Sequence, residues 1–242
     1  MKPNVLKIHR SSFIVHRFLY LLTPFFNAKT QNMTSVIKSS ILAIVLLLLT
    51  VPIYAQISFE LKGGVNVAEF SITDQGATIP QSSVNGFTLG AVLEVGITDN
   101  IFIQPEAIFL QKGSELNTSI TELKTSVNYL DIPVLLKLKL INTDLLNINL
   151  LGGPSFGLAL NGEETTAGGQ TVDINFGGEN GLKRFDLGIN AGGGVGINLG
   201  SIGVFGDVRY LFGVSNISED SNREIKNKGL NLSVGLMFKI FG

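Results

Sequence analysis

Twelve ionisable side chains between residues 56 and 242 share one spacing. Each sits on the polar parity of a segment whose other parity is apolar. The acids are Glu60, Glu94, Glu106, Asp131, Asp186 and Asp207; the bases are Lys62, Lys112, Lys137, Lys139, Arg209 and Lys239. Paired carboxylates can perform general acid–base chemistry, and Glu94 with Glu106 is the pair to consider. Six acids matched by six bases on one parity fit an ion-pair network better. The rest of the usual catalytic inventory is missing. The chain has no cysteine, and both histidines, His9 and His16, precede residue 55. Ser-His-Asp and Cys-His catalysis and ordinary zinc sites are therefore out of reach of residues 56–242. Ala191-Gly-Gly-Gly194-Val-Gly196 lacks the glycine spacing of a nucleotide loop and lies inside a strand pattern. Glu163-Glu164 and Glu219-Asp220 read as solvated loop acids rather than calcium ligands. No catalytic residue, metal or cofactor is expected, and the protein is not expected to be an enzyme.

The elements that carry these charges are strands of period two. In Phe185–Leu199, Phe185, Leu187, Ile189, Ala191, Val195, Ile197 and Leu199 oppose Asp186, Asn190, Asn198 and four glycines. Gly86–Ile97, Tyr129–Leu140 and Leu230–Ile240 repeat the pattern, and weaker segments are expected at 57–70, 100–112, 146–160 and 202–213. That makes eight strands, the even count of bacterial single-chain barrels. Pro105 and Pro133 lack ladder donors and are expected at bulges. Connections alternate. Thr98–Asn100, Ile141–Leu145 and Gly200-Ser201 are short; 71–85, 113–125, 161–184 and 214–228 are long. All short turns then lie at one end and all long loops at the other.

The expected fold is all-β: an eight-stranded antiparallel up-and-down transmembrane β-barrel, apolar parity towards lipid and polar parity towards the lumen. Such a bore is just wide enough for side chains to fill. The twelve charges would then close it, with Arg209 bridging Asp207 and, from the adjacent strand, Asp186. Gly188, Gly192, Gly194 and Gly196 would make room for longer lumen side chains. Phe87, Phe109, Phe185 and Phe212 would ring the lipid face at the long-loop side, with Phe59 and Phe238 at the opposite rim. The competing architecture is a secreted, lipocalin-like barrel with its apolar face inward.

The N-terminal part reads differently. Lys38, the apolar run Ile41–Val51, Pro52 and Ala55 form an export signal over 33–55, cut before Gln56. Its core is too short for a spanning helix. Residues 1–32 fit neither signal nor domain and are expected to be a gene-start artefact, or a disordered leader, upstream of Met33. All 19 acids follow residue 55, against 12 bases there, a net charge of −7. An acidic body excludes nucleic acid as a partner.

Several stretches resemble the PorT-like, porin-family outer-membrane β-barrel domain. They are Gln104-Pro-Glu106 with Gln111-Lys-Gly113, Tyr129-Leu-Asp131-Ile-Pro133, Gly153-Pro-Ser-Phe-Gly157, Phe185-Asp-Leu-Gly188 and Asp207-Val-Arg209-Tyr210. The resemblance spans nearly all of 56–242 and implies a small barrel; its name-giving member implies a role in protein export. The expected setting is the outer membrane, both termini periplasmic, with lipid and the outer-membrane insertion machinery as partners. The expected role is structural or surface-interacting through the long loops. Export accessory, with export-system partners, and narrow diffusion channel are the alternatives.

Overall fold

Strict alternation sends successive side chains to opposite faces, so a chain patterned this way has one apolar and one polar face wherever it is extended. The computed structural model describes residues 56–117, 122–178 and 181–241. The expected leader (1–32) and export signal (33–55) lie outside them. Ten strands form: β1 (Ile57–Asp74), β2 (Ala77–Ile79), β3 (Val84–Gly96), β4 (Ile101–Asn117), β5 (Glu122–Asn142), β6 (Leu146–Thr166), β7 (Thr171–Asp173), β8 (Phe185–Leu199), β9 (Ile202–Gly213) and β10 (Arg223–Phe241). The eight long ones pair antiparallel in chain order, and β10 pairs with β1 to close the ring. Closure matters physically because it leaves no long strand with a row of unpaired amides. The two short strands, β2 and β7, fold back on β1 and β6.

Strands β8 and β9 have the bounds expected from alternation. The others run further. β5 and β6 reach 21 residues each, whereas about 9–11 residues of tilted strand cross a bilayer's hydrocarbon. The excess lies at one end, where the segments expected as long loops are largely ordered hairpin. Residues 71–85 turn at Gln75-Gly76, both at positive φ, as a tight two-residue hairpin turn requires. β2 then pairs back along Ile72–Asp74. At the opposite end the connections are short, and Thr98 and Thr143 hydroxyls accept hydrogen bonds from the amides of Ile101 and Leu146.

Along β1 the pattern inverts. Phe59, Leu61 and Val65 are exposed while Glu60, Lys62 and Asn66 are buried. Further up, Ala68, Phe70 and Ile72 are the buried ones, alternating with Glu69, Ser71 and Thr73. β5 and β10 invert likewise. Their outward apolar runs cover Leu130–Leu140 and Leu230–Ile240, eleven residues each, and beyond them the outward positions are Asn128, Ser126 and Lys124, or Lys228, Lys226 and Glu224. The inversion falls at one level on paired strands, because Val67 pairs with Leu230 and Phe109 with Leu130. Below that level the ring is inside-out; above it, the ring is patterned like a water-soluble protein.

The prolines behave otherwise than expected. Neither sits at a bulge. Pro105 stays in register opposite Val134 and Pro133 opposite Ser155; ladder pairs lapse beside them because a donor is missing, without an inserted residue. The register shifts occur instead at Asn128/Tyr129 and Lys139/Ile141, against β6, and at Ile57/Ser58 against β10.

Candidate functional site: the interior charge column and its cap

The ring interior holds three tiers of charge. Nearest the short turns, Glu94 receives Lys137 at 2.6 Å and Lys139 at 2.8 Å. Glu60 lies 3.8 Å from Lys137 and accepts no hydrogen bond among the described residues. Lys139 also stands over the Phe102 ring, 3.6 Å from its centroid, an electrostatically favourable contact.

The middle tier is built on Glu106, which approaches zero side-chain exposure. Arg209 Nη1 donates to both Glu106 oxygens at 2.7 Å, Lys62 lies at 3.2 Å, and the Gln104 amide donates at 2.7 Å. The other side of the Arg209 fork meets Asp207. Nη2 donates at 3.2 Å, while Nε lies 2.7 Å from Oδ1 but off the hydrogen-bonding line, so that contact is Coulombic. Two bases thus hold two acids, and the guanidinium spans both of them.

In the upper tier Lys112 meets Asp186 at 2.9 Å and Asp131 at 3.5 Å, above the Tyr129 ring. Asn227 and Ser215 donate to Asp186 at 2.9 and 3.1 Å. Above this tier the ion-pair column gives way to an apolar layer. Phe70, Ile72, Val127, Tyr129, Ala159, Leu182, Ile217 and Ile225 form a buried apolar cluster, packed against Ile79, Ile174 and Phe176. Leu182 and Ile217 come from the connections β7–β8 and β9–β10, which bridge at Leu182–Ser218 and fold over the mouth. Arg184 fastens this cap, donating to the Ala159 carbonyl at 3.1 Å and stacking on Phe176.

Of the twelve charges expected inside, ten are buried, and Lys139 is partly so. Lys239 is exposed. It keeps the ladder register, pairing with buried Ser58, but stands at the short-turn end of β10, three residues beyond the position opposite Leu61 and only two before the strand stops at Phe241. Asp186 does not reach Arg209. Gly192 is the residue of β8 that pairs with Arg209, so Asp186 stands six residues away along the strand, about 20 Å at the usual rise. Adjacent strands share a wall but not a height. The glycine expectation holds at two positions, where an added Cβ would strike the Leu211 side chain (Gly188) or that of Asn147 (Gly196). At Gly192 it would strike backbone instead, 2.1 Å from the Val208 carbonyl oxygen. Gln104 and Tyr129 share the polar parity and were legible as interior groups. The cap was not, since it comes from segments read as loops.

On the outer face, Phe87, Phe185 and Phe212 are exposed near the inversion level, and Phe87 stacks on Phe109 with centroids 5.3 Å apart. Phe59 is exposed near the short turns. An apolar exterior around a charged interior is the reverse of a lipocalin-like barrel.

Residues 52–219 match the family model described as outer membrane protein beta-barrel domain. No curated protein matches the chain. Among solved structures, the outer membrane protein OprG from Pseudomonas aeruginosa is 13% identical with a TM-score of 0.50, over 76% of this chain and 96% of that one. Neisserial surface protein A is 14% identical with a TM-score of 0.44, over 75% and 97%. The attachment invasion locus protein Ail of Yersinia pestis, solved with the heparin analogue sucrose octasulfate, is 14% identical with a TM-score of 0.40, over 76% and 99%. At this identity the likeness to OprG is one of fold.

Proposed function

Because this chain belongs to the outer membrane protein β-barrel domain family, we propose that it is a sealed outer-membrane barrel whose hairpin end works as an ordered surface platform. The observation that carries the reading is the double closure of the bore: three tiers of ion pairs below, an apolar cap above. Ions crossing such a bore would have to displace charges already paired in a low-dielectric space. In this reading the protein is not an enzyme, since its interior carboxylates are held by cations rather than poised for proton transfer. The hairpin end faces the outside and both termini the periplasm, the usual arrangement of long loops and short turns in this membrane. Planar-bilayer recording of the purified protein tests it. The expected trace is a flat baseline; steady unitary conductance would make the protein a channel and sink the platform reading.

A further inference from the structure

Above the apolar cap the hairpins enclose a cup of about 450 Å³, within the range of about 300–1,000 Å³ that small-molecule sites occupy. Its floor is the cap itself, with Phe70, Ile72, Leu182 and Ile225 facing the space. Its ionisable lining is Glu164, Asp173, Asp220 and Arg223. None of these four joins an ion pair with another described residue, although salt bridges form nearby at Lys226–Glu224 and Lys228–Glu69. Asp220 is partly engaged by its own turn, accepting from the Asn222 amide at 2.9 Å. The cup therefore combines an apolar base with a rim whose described side chains carry a net charge of −2.

We propose that this cup binds a small organic cation with an apolar body, for example an arylalkyl amine. The body would sit on the Phe70–Leu182 floor, where burial of apolar surface favours it. The ammonium would lie among the rim carboxylates, whose field concentrates cations and repels anions. Arg223 limits the site to compact cations by repelling a second positive group. The inference deepens the platform reading, since it gives the outer end a ligand.

The test uses the full barrel in phosphatidylcholine nanodiscs, with empty nanodiscs as the partition control. Both membrane faces are open there, so an inverted topology would leave the result intact and would fail only in cell-surface experiments. Three probes share one body: 2-phenylethylamine, 2-phenylethanol and phenylacetate, followed by saturation-transfer NMR and calorimetry. The amine should bind at least tenfold more tightly than the alcohol, and phenylacetate weakest. The double substitution Glu164→Gln and Asp173→Asn should bring the amine down to the alcohol's affinity. Should that variant not fold, salt gives the same discrimination: sodium chloride should weaken the amine and leave the alcohol unchanged. The proposal is overturned if the amine binds no better than the alcohol, if the folded double variant or added salt leaves its advantage intact, if phenylacetate binds tightest, or if no probe exceeds empty nanodiscs.

Discussion

Glu106 has three donors around it and Arg209 has two acceptors, so the middle tier is the most interdependent group in the bore. Removing one member leaves others buried without a counter-charge. Arg209→Ala strands Glu106 and Asp207 on Lys62 alone and should cost about 3–5 kcal/mol. Lys239→Ala, at an exposed site without an ion pair among the described residues, should stay within about 0.5 kcal/mol. Urea titrations in lipid vesicles measure both; equal stability of the two variants would mean that the column contributes nothing as a network. Both residues looked the same in the sequence, being basic and on the polar parity. What separated them was height: Arg209 pairs with Asn231 in mid-strand, Lys239 with Ser58 at the strand end, and alternation gives the face of a side chain but not its depth.

At the scale of elements, glycines decide how closely strands approach. A Cβ at inward Gly192 would lie 2.1 Å from a backbone oxygen of β9, whereas at outward Gly206 its nearest neighbour is 3.6 Å away. Backbone cannot rotate aside as a side chain can. Gly192→Ala should therefore destabilise the barrel by about 1–3 kcal/mol or more, and Gly206→Ala should be close to neutral. Heat-modified gel mobility distinguishes them, and a Gly206→Ala defect as large as that of Gly192→Ala would contradict the packing. Strand bounds at β8 and β9 were legible because their alternation stops at real turns, Gly200-Ser201 among them. The far ends of β1, β5, β6 and β10 were not. There the apolar residues change faces, and a reader following one parity sees the signal fade into what looks like loop. Phe70 and Ile72 are the case in point: they continue the inward row of Glu60 and Lys62 with the opposite polarity.

For the whole molecule the testable quantity is orientation. The natural chain has no cysteine, so single cysteines report position without background. A cysteine at Thr78 or Val172, on the hairpin end, should react with a membrane-impermeant maleimide on intact cells. One at Asp99 or Ser201 should react only after the outer membrane is breached. The reverse labelling would turn the barrel over. Loop lengths alone supply the expected orientation, because connections alternate without exception. No sequence pattern pointed to the cup, because it is assembled from β1, β4, β5, β6, β7 and β10 together with three connections, and no local pattern announces such a meeting.

The inversion level has a kinetic consequence. The segments above it carry Glu69, Lys124, Glu163, Lys226 and Lys228 on their outward side, and in the platform orientation these groups must traverse hydrocarbon before reaching water. Their own apolar core cannot shield them in transit, since it joins Phe70 of β1, Val127 of β5 and Ile217 and Ile225 of the β9–β10 hairpin, and is complete only after all have arrived. The barrier to insertion is therefore highest just before completion, when charges are crossing and nothing has yet condensed behind them. Once across, the same arrangement works as a ratchet: return would require dismantling the cluster and dehydrating the charges together.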